Sequence, residues 1–191
     1  MKKTERYNRI DRPQKGDYTE EKQGGGEMLR ILGVENMDGD GHKTAYALLQ
    51  TLWQEETGRP LPEIARTELG RPYFAGEEIY FSITHTKKHA FCALSDSPVG
   101  IDAEELTRKV HPSLAEKILS PGEKAQYDAA PDKNKALLTF WVLKEAAAKC
   151  TGKGIYTYPN QTDFLLTDPR VEERMGCLVA VIQNEEKNNA F

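Results

Sequence analysis

The first stretch of the chain has no hydrophobic pattern. Residues 1–27 are rich in Lys, Arg, Glu, Asp, Gln and Gly, and Ile10 is their only branched aliphatic side chain. Such a segment buries too little apolar surface to offset its ordering entropy, so it is expected to be a disordered tail. Gly24-Gly25-Gly26-Glu27 before Met28 also reads as a translated ribosome-binding sequence, which would make the tail non-native and Met28 the start. From Met28 the pattern changes. Met28–Val34 is a short apolar strand, and Asp40 is placed to cap a helix over Thr44–Glu56, where Ala45, Leu48, Leu49, Leu52 and Trp53 recur at helical spacing. Thr57-Gly58-Arg59-Pro60 ends it. Short strands are expected at Ile64–Thr67 and Pro72–Phe74 around the turn Leu69-Gly70-Arg71-Pro72. Longer ones follow at Ile79–Thr84, His89–Leu94 and Val99–Glu104. His111–Ile118, Glu123–Asp128 and Asn134–Cys150 read as helices, and Phe164–Thr167 and Cys177–Gln183 as late strands.

A degenerate repeat runs through this order. Leu32-Gly33-Val34-Glu35 matches Val99-Gly100-Ile101-Asp102, and the helix ending at Thr57-Gly58 matches the one ending at Thr151-Gly152. The expected architecture is α+β: a tail over 1–27, an N-terminal half over 28–98 and a C-terminal half over 99–191. The halves form a pseudo-two-fold pair with a cleft between them. Both walls of that cleft would come from one chain, which favours a monomer.

Composition narrows the function. No apolar run approaches the roughly 20 residues of a membrane span, and no secretory signal is visible at the N-terminus. Cys92, Cys150 and Cys177 are far apart and fit neither a zinc spacing nor a disulfide framework, which points to a reducing cytoplasm. The net charge of −4 argues against a nucleic-acid binder.

The candidate chemistry centres on Phe140–Gly154, FWVLKEAAAKCTGKG. Trp141, Glu145 and Lys149 are four apart and share a helix face, with the permissive Gly152 and Gly154 beyond. Alone, the Glu–Lys pair reads equally as ordinary helix support. In Val99–Glu104, Asp102 and Glu104 alternate onto one face of a strand. Two adjacent carboxylates call for a cation, and hard oxygen ligands suit Mg²⁺; a solvated strand end is the plainer reading. Thr84 and His85, at the end of Phe81-Ser82-Ile83-Thr84-His85-Thr86, offer donors for phosphate oxygens. Arg71 in its tight turn offers a guanidinium fork, and Lys43 at the head of the first helix another cation.

Together these blocks resemble the 4′-phosphopantetheinyl transferase superfamily, of the surfactin-synthetase-activating (Sfp) type. Leu69-Gly70-Arg71-Pro72 resembles the family's Gly-Lys-Pro turn, and FSITHT its Phe-Asn-Ile-Ser-His-Ser block. PVGIDAEE resembles the Val-Gly-Ile-Asp-x-Glu strand. Ser120-Pro121-Gly122-Glu123 resembles Ser-x-x-Glu, and WVLKEAAAKCTGKG resembles Trp-x-x-Lys-Glu-x-x-x-Lys-x-x-Gly-x-Gly. The order and spacing of the blocks, over about residues 28–183, carry the resemblance.

The resemblance implies transfer of the phosphopantetheine arm of coenzyme A to a serine of an acyl or peptidyl carrier protein, with release of 3′,5′-ADP. The alternative is a non-catalytic coenzyme A- or carrier-binding relative. It implies Mg²⁺ held by Asp102, Glu104 and Glu145, and Glu145 as base for the carrier serine. Lys149 would meet the pyrophosphate. Lys43, Gly70, Arg71, Pro72, Thr84 and His85 would contact coenzyme A. The bridge Glu35–His42 is shorter than in the family, so weaker selection of the 3′-phosphate is expected, unless Lys43 and Arg71 compensate. Leu114, Ile118 and Leu119, rimmed by Lys117 and Lys124, either receive the carrier or are simply core.

Overall fold

Period-two alternation in two neighbouring strands sets the layers. In the computed structural model, which describes residues 18–24, 27–36, 39–153 and 163–184, β2 (Glu27–Glu35) pairs antiparallel with β6 (His89–Ser95). Leu32 and Val34 of β2, with Ala90, Cys92 and Leu94 of β6, pack on α1 (Gly41–Thr57). Leu29 and Ile31, with Phe91 and Ala93, pack the other way, against Val99, Ile101 and Ala103 of β7 (Val99–Glu105) and Val179 of β9 (Cys177–Gln183). The opposite face of β9, through Leu178, Ala180 and Ile182, meets α4 (Lys133–Thr151). The result is a helix–sheet–sheet–helix stack, an α+β fold in which both inner sheets are covered on both faces.

The first sheet has the order β1-β2-β6-β5, with β1 at Tyr18–Gly24 and β5 at Tyr80–His85. The second has the order β7-β9-β8, with β8 at Val171–Arg174. β3 (Ile64–Arg66) and β4 (Pro72–Phe74) form a separate ribbon. The sheets are also joined at the edge. Ser82 Oγ accepts from Ile101 N at 3.0 Å, and Thr84 Oγ1 donates to Asp102 at 3.0 Å, so alternate hydroxyls of β5 clip it to β7. Helix ends follow their sequence signals. Asp40 and Asp132 accept from the backbone at the starts of α1 and α4, and Gly58 and Gly152 end them in the left-handed conformation.

Four expectations change. Tyr18–Gly24 is a strand paired along its length with β2, so the tail reading does not hold there; residues 1–17, 25 and 26 lie outside the described residues. A polar sequence can still complete a sheet edge, because backbone groups make the ladder. Phe164–Thr167 is not a strand: the Gln126 side chain donates to Phe164 O and accepts from Leu166 N, satisfying the groups a ladder would use. The strand there is β8, hidden by its charged residues and joined to β9 through Met175 and Gly176, both at positive φ. His111–Ile118 divides into a 3-10 turn (Pro112–Leu114) and the short α2 (Ala115–Ile118). Ile118 and Leu119 are buried, with Leu114 packed against the same core, so these three are core rather than a docking face. Lys124, the expected basic rim, is paired with Asp128 and Glu116.

Candidate active site

Gly100 is what brings the site together. A Cβ there would lie 1.9 Å from the carbonyl oxygen of Ala146 and 2.5 Å from Cys150 N, so only glycine lets α4 press its backbone onto β7. That approach lays one face of α4 over Asp102. Lys149 donates to Asp102 Oδ1 at 2.7 Å and to the carbonyl of Ile101 at 3.0 Å. Thr84 donates to the same Oδ1, while Oδ2 is buried and has no hydrogen-bond partner. Glu145, one turn before Lys149, is half-buried. Burial, and next the negative charge of Asp102, push its carboxyl above the usual range; Lys149 and Arg108 pull it back.

This arrangement fits a cation in part. An orphaned buried carboxylate oxygen beside a second carboxylate that it repels is the donor set a hard divalent ion neutralises. The expected third ligand is engaged elsewhere: Glu104 is ion-paired with Arg108, whose guanidinium lies 6.0 Å from the Trp141 ring centroid. Among the described residues, no three His, Cys, Asp or Glu side chains converge as a metal site.

From this corner opens a cleft of about 470 Å³. Glu145, Ala148, Lys149 and Gly152 of α4 form one wall, and Thr84, His85, Gly70, Arg71 and Pro72 are among the residues facing them. Gly70 has φ 86°, a turn conformation open to glycine, and it lets Arg71 emerge toward the cleft. The Arg71 side chain reaches the far wall: a Cβ on Gly152 would be 3.0 Å from its Cδ. His85 lies against Gly41 at the head of α1, where a Cβ would meet its ring at 2.6 Å.

Of the residues expected to meet coenzyme A, Gly70, Arg71, Pro72, Thr84, His85 and Lys149 line this cleft. Lys43 does not line it; it is exposed, and its backbone N–H is taken by the Asp40 cap. The sequence reading passed over His42 and Tyr46, whose rings meet at 4.7 Å in the cleft, and the flanking Arg66. Their helical spacing (42 and 46 share a face) was the available signal.

Lys144, next to Glu145, points the other way. It pairs at 2.8 Å with Glu123, and both side chains are almost wholly buried. Glu123 also accepts from Ser120 N and Phe164 N, which anchors the start of α3 (Pro121–Ala129) to α4.

Residues 98–183 match the family model of the 4′-phosphopantetheinyl transferase superfamily. The chain is 32% identical over 93 residues to the 4′-phosphopantetheinyl transferase gsp of Aneurinibacillus migulanus, covering 48% of this chain and 38% of that protein. It is 37% identical over 98 residues to the 4′-phosphopantetheinyl transferase AcpT of Escherichia coli K12, covering 49% and 50%. It is 30% identical over 92 residues to the 4′-phosphopantetheinyl transferase Sfp of Bacillus subtilis strain 168, covering 46% and 40%. The chain thus spans half or less of the length of these curated relatives.

Proposed function

We propose, from the match of residues 98–183 to the model of the 4′-phosphopantetheinyl transferase superfamily, that this protein moves the 4′-phosphopantetheine arm of coenzyme A onto a serine of an acyl or peptidyl carrier protein, releasing 3′,5′-ADP. One observation carries the reading: Asp102, Glu145 and Lys149 meet at the inner end of a cleft whose rim bears Arg71 and His85.

The reaction forms a bond from the serine oxygen to phosphorus and breaks the pyrophosphate bond on the nucleotide side. Catalysis of this kind is positioning and charge neutralisation. Glu145 takes the serine proton; its raised carboxyl is a stronger base than a solvated one once it is ionised. Lys149, resting on Asp102, offsets the charge that builds on the departing phosphate. Thr84 holds Asp102 in place from the cleft wall. Arg71 and His85 receive the nucleotide end, with His42 and Tyr46 beside them. Asp102 and Glu145 would hold a divalent cation such as Mg²⁺, which would supply neutralisation of the pyrophosphate charge. The reading carries a cytoplasmic location and a monomer. Among the described residues, no helix is long and apolar enough to cross a membrane.

The test is the intact mass of a panel of apo carrier proteins after incubation with the protein, coenzyme A and Mg²⁺. A gain of one phosphopantetheine arm, absent with Glu145→Gln and with chelator, is the expected result. Coenzyme A binding with no transfer to any carrier would favour the binding-only alternative.

A further inference from the structure

Arg108 is not placed like a casual surface arginine. Its backbone N–H donates to Glu105 O at 2.8 Å, which turns the chain back just past β7. Asn134, in the first turn of α4, then pins the turn from outside: its amide donates to Arg108 O at 2.8 Å, and its carbonyl accepts from Val110 N at 3.0 Å. The guanidinium is thereby held against Glu104 on one side and beside the Trp141 ring on the other. Trp141 is one helical turn before Glu145, and the Arg108 charge acts on Glu145 as well. A positive charge therefore engages Glu104, the carboxylate that shares a strand face with Asp102.

We propose that Arg108 withholds Glu104 from the cation site, so that the protein side of the site is the pair Asp102 and Glu145, and Arg108 is an internal competitor of the divalent ion. This rests on the metal reading above and adds to it a residue that sets the affinity. A divalent ion can recruit Glu104 only by displacing the guanidinium. The resting site is therefore weak, and it relies on the donor's own phosphate oxygens to complete the coordination.

The experiment is Mn²⁺ binding to the full chain without coenzyme A, followed by calorimetry and by the electron paramagnetic resonance of free Mn²⁺. Arg108→Gln is expected to tighten Mn²⁺ by about three- to tenfold, the range open to release of a partly exposed ion pair. Glu104→Gln alone is expected to stay within about twofold of wild type, because its carboxylate is already occupied. Arg108→Gln combined with Glu104→Gln is expected to give the gain back. No tightening with Arg108→Gln, or a gain that persists in the double variant, overturns the proposal. Asp102→Asn separates the two layers. Loss of Mn²⁺ in that variant with no effect of Arg108→Gln removes the competitor role alone; unchanged Mn²⁺ binding in Asp102→Asn removes the metal reading and the proposal with it.

Discussion

Two carboxylates, Asp102 and Glu145, share a half-buried corner with one ammonium, that of Lys149. Because burial and Asp102 both favour the neutral acid, Glu145 holds its proton to higher pH in the fold than in the unfolded chain. Its contribution to stability is therefore complete below the unfolded value and is lost as pH rises through the folded one. As a base it becomes competent over that same rise. A ¹³C-labelled Glu145 should titrate above the ordinary value of about 4.3. Asp102→Asn should move the midpoint down and Lys149→Met should move it up; no movement with either would detach Glu145 from this corner. Gly100 makes a second prediction. Gly100→Ala forces a methyl into the Ala146 carbonyl, and urea unfolding should show a loss of about 3 kcal/mol or more. At this scale much of the site was readable. Asp102, Glu145 and Lys149 stand out by periodicity because each belongs to a regular element. The pairing of Glu104 with Arg108 was not readable, since strand alternation gives a side chain's face and not its partner, and Arg108 reaches it from an irregular turn.

Helix α4 serves two structures at once. One face carries Glu145 and Lys149 to the cleft; the other buries Leu137, Leu138, Phe140, Val142 and Leu143 among the core residues. The Lys144–Glu123 pair fixes its rotation from behind, and a buried pair punishes the loss of one partner more than the loss of both. Glu123→Ala should cost about 3–5 kcal/mol by leaving a buried ammonium, whereas Glu123→Leu with Lys144→Met should recover most of that in the same thermal unfolding assay. Equal losses in both variants would show that the charge itself carries no penalty there. Elements with strong periodicity, such as α1, β5, β6 and α4, were visible in the sequence. β8 and the turn at 164–167 were not. Val171–Arg174 becomes a strand because β9 offers it a ladder, and Phe164–Thr167 fails to become one because Gln126 takes its backbone groups. The first outcome depends on the strand that follows across a two-residue turn, and the second on a side chain distant in sequence.

For the whole molecule, the two sheets are held by apolar packing across their faces and by two hydroxyls at one edge. Ser82→Ala would strand the buried Ile101 N–H and should cost about 1–3 kcal/mol in urea unfolding. The cleft also bears on donor choice. Lys43 lies outside its lining, leaving Arg71 as the cation expected to compensate for the short Glu35–His42 bridge. Dephospho-coenzyme A should be only modestly worse than coenzyme A as donor, and Arg71→Ala should raise the KM of both; a donor preference of several orders of magnitude would refute weak selection of the 3′-phosphate. The register of β7 has one more implication, for the order in which the protein is made. Asp102 pairs with Ala180, so the strand that carries the central carboxylate has its ladder partner far downstream. Contacts of such sequence separation form slowly. On the ribosome, β7 and α4 emerge before β9 can close the second sheet, so Asp102 gains its ladder partner only when that late strand arrives.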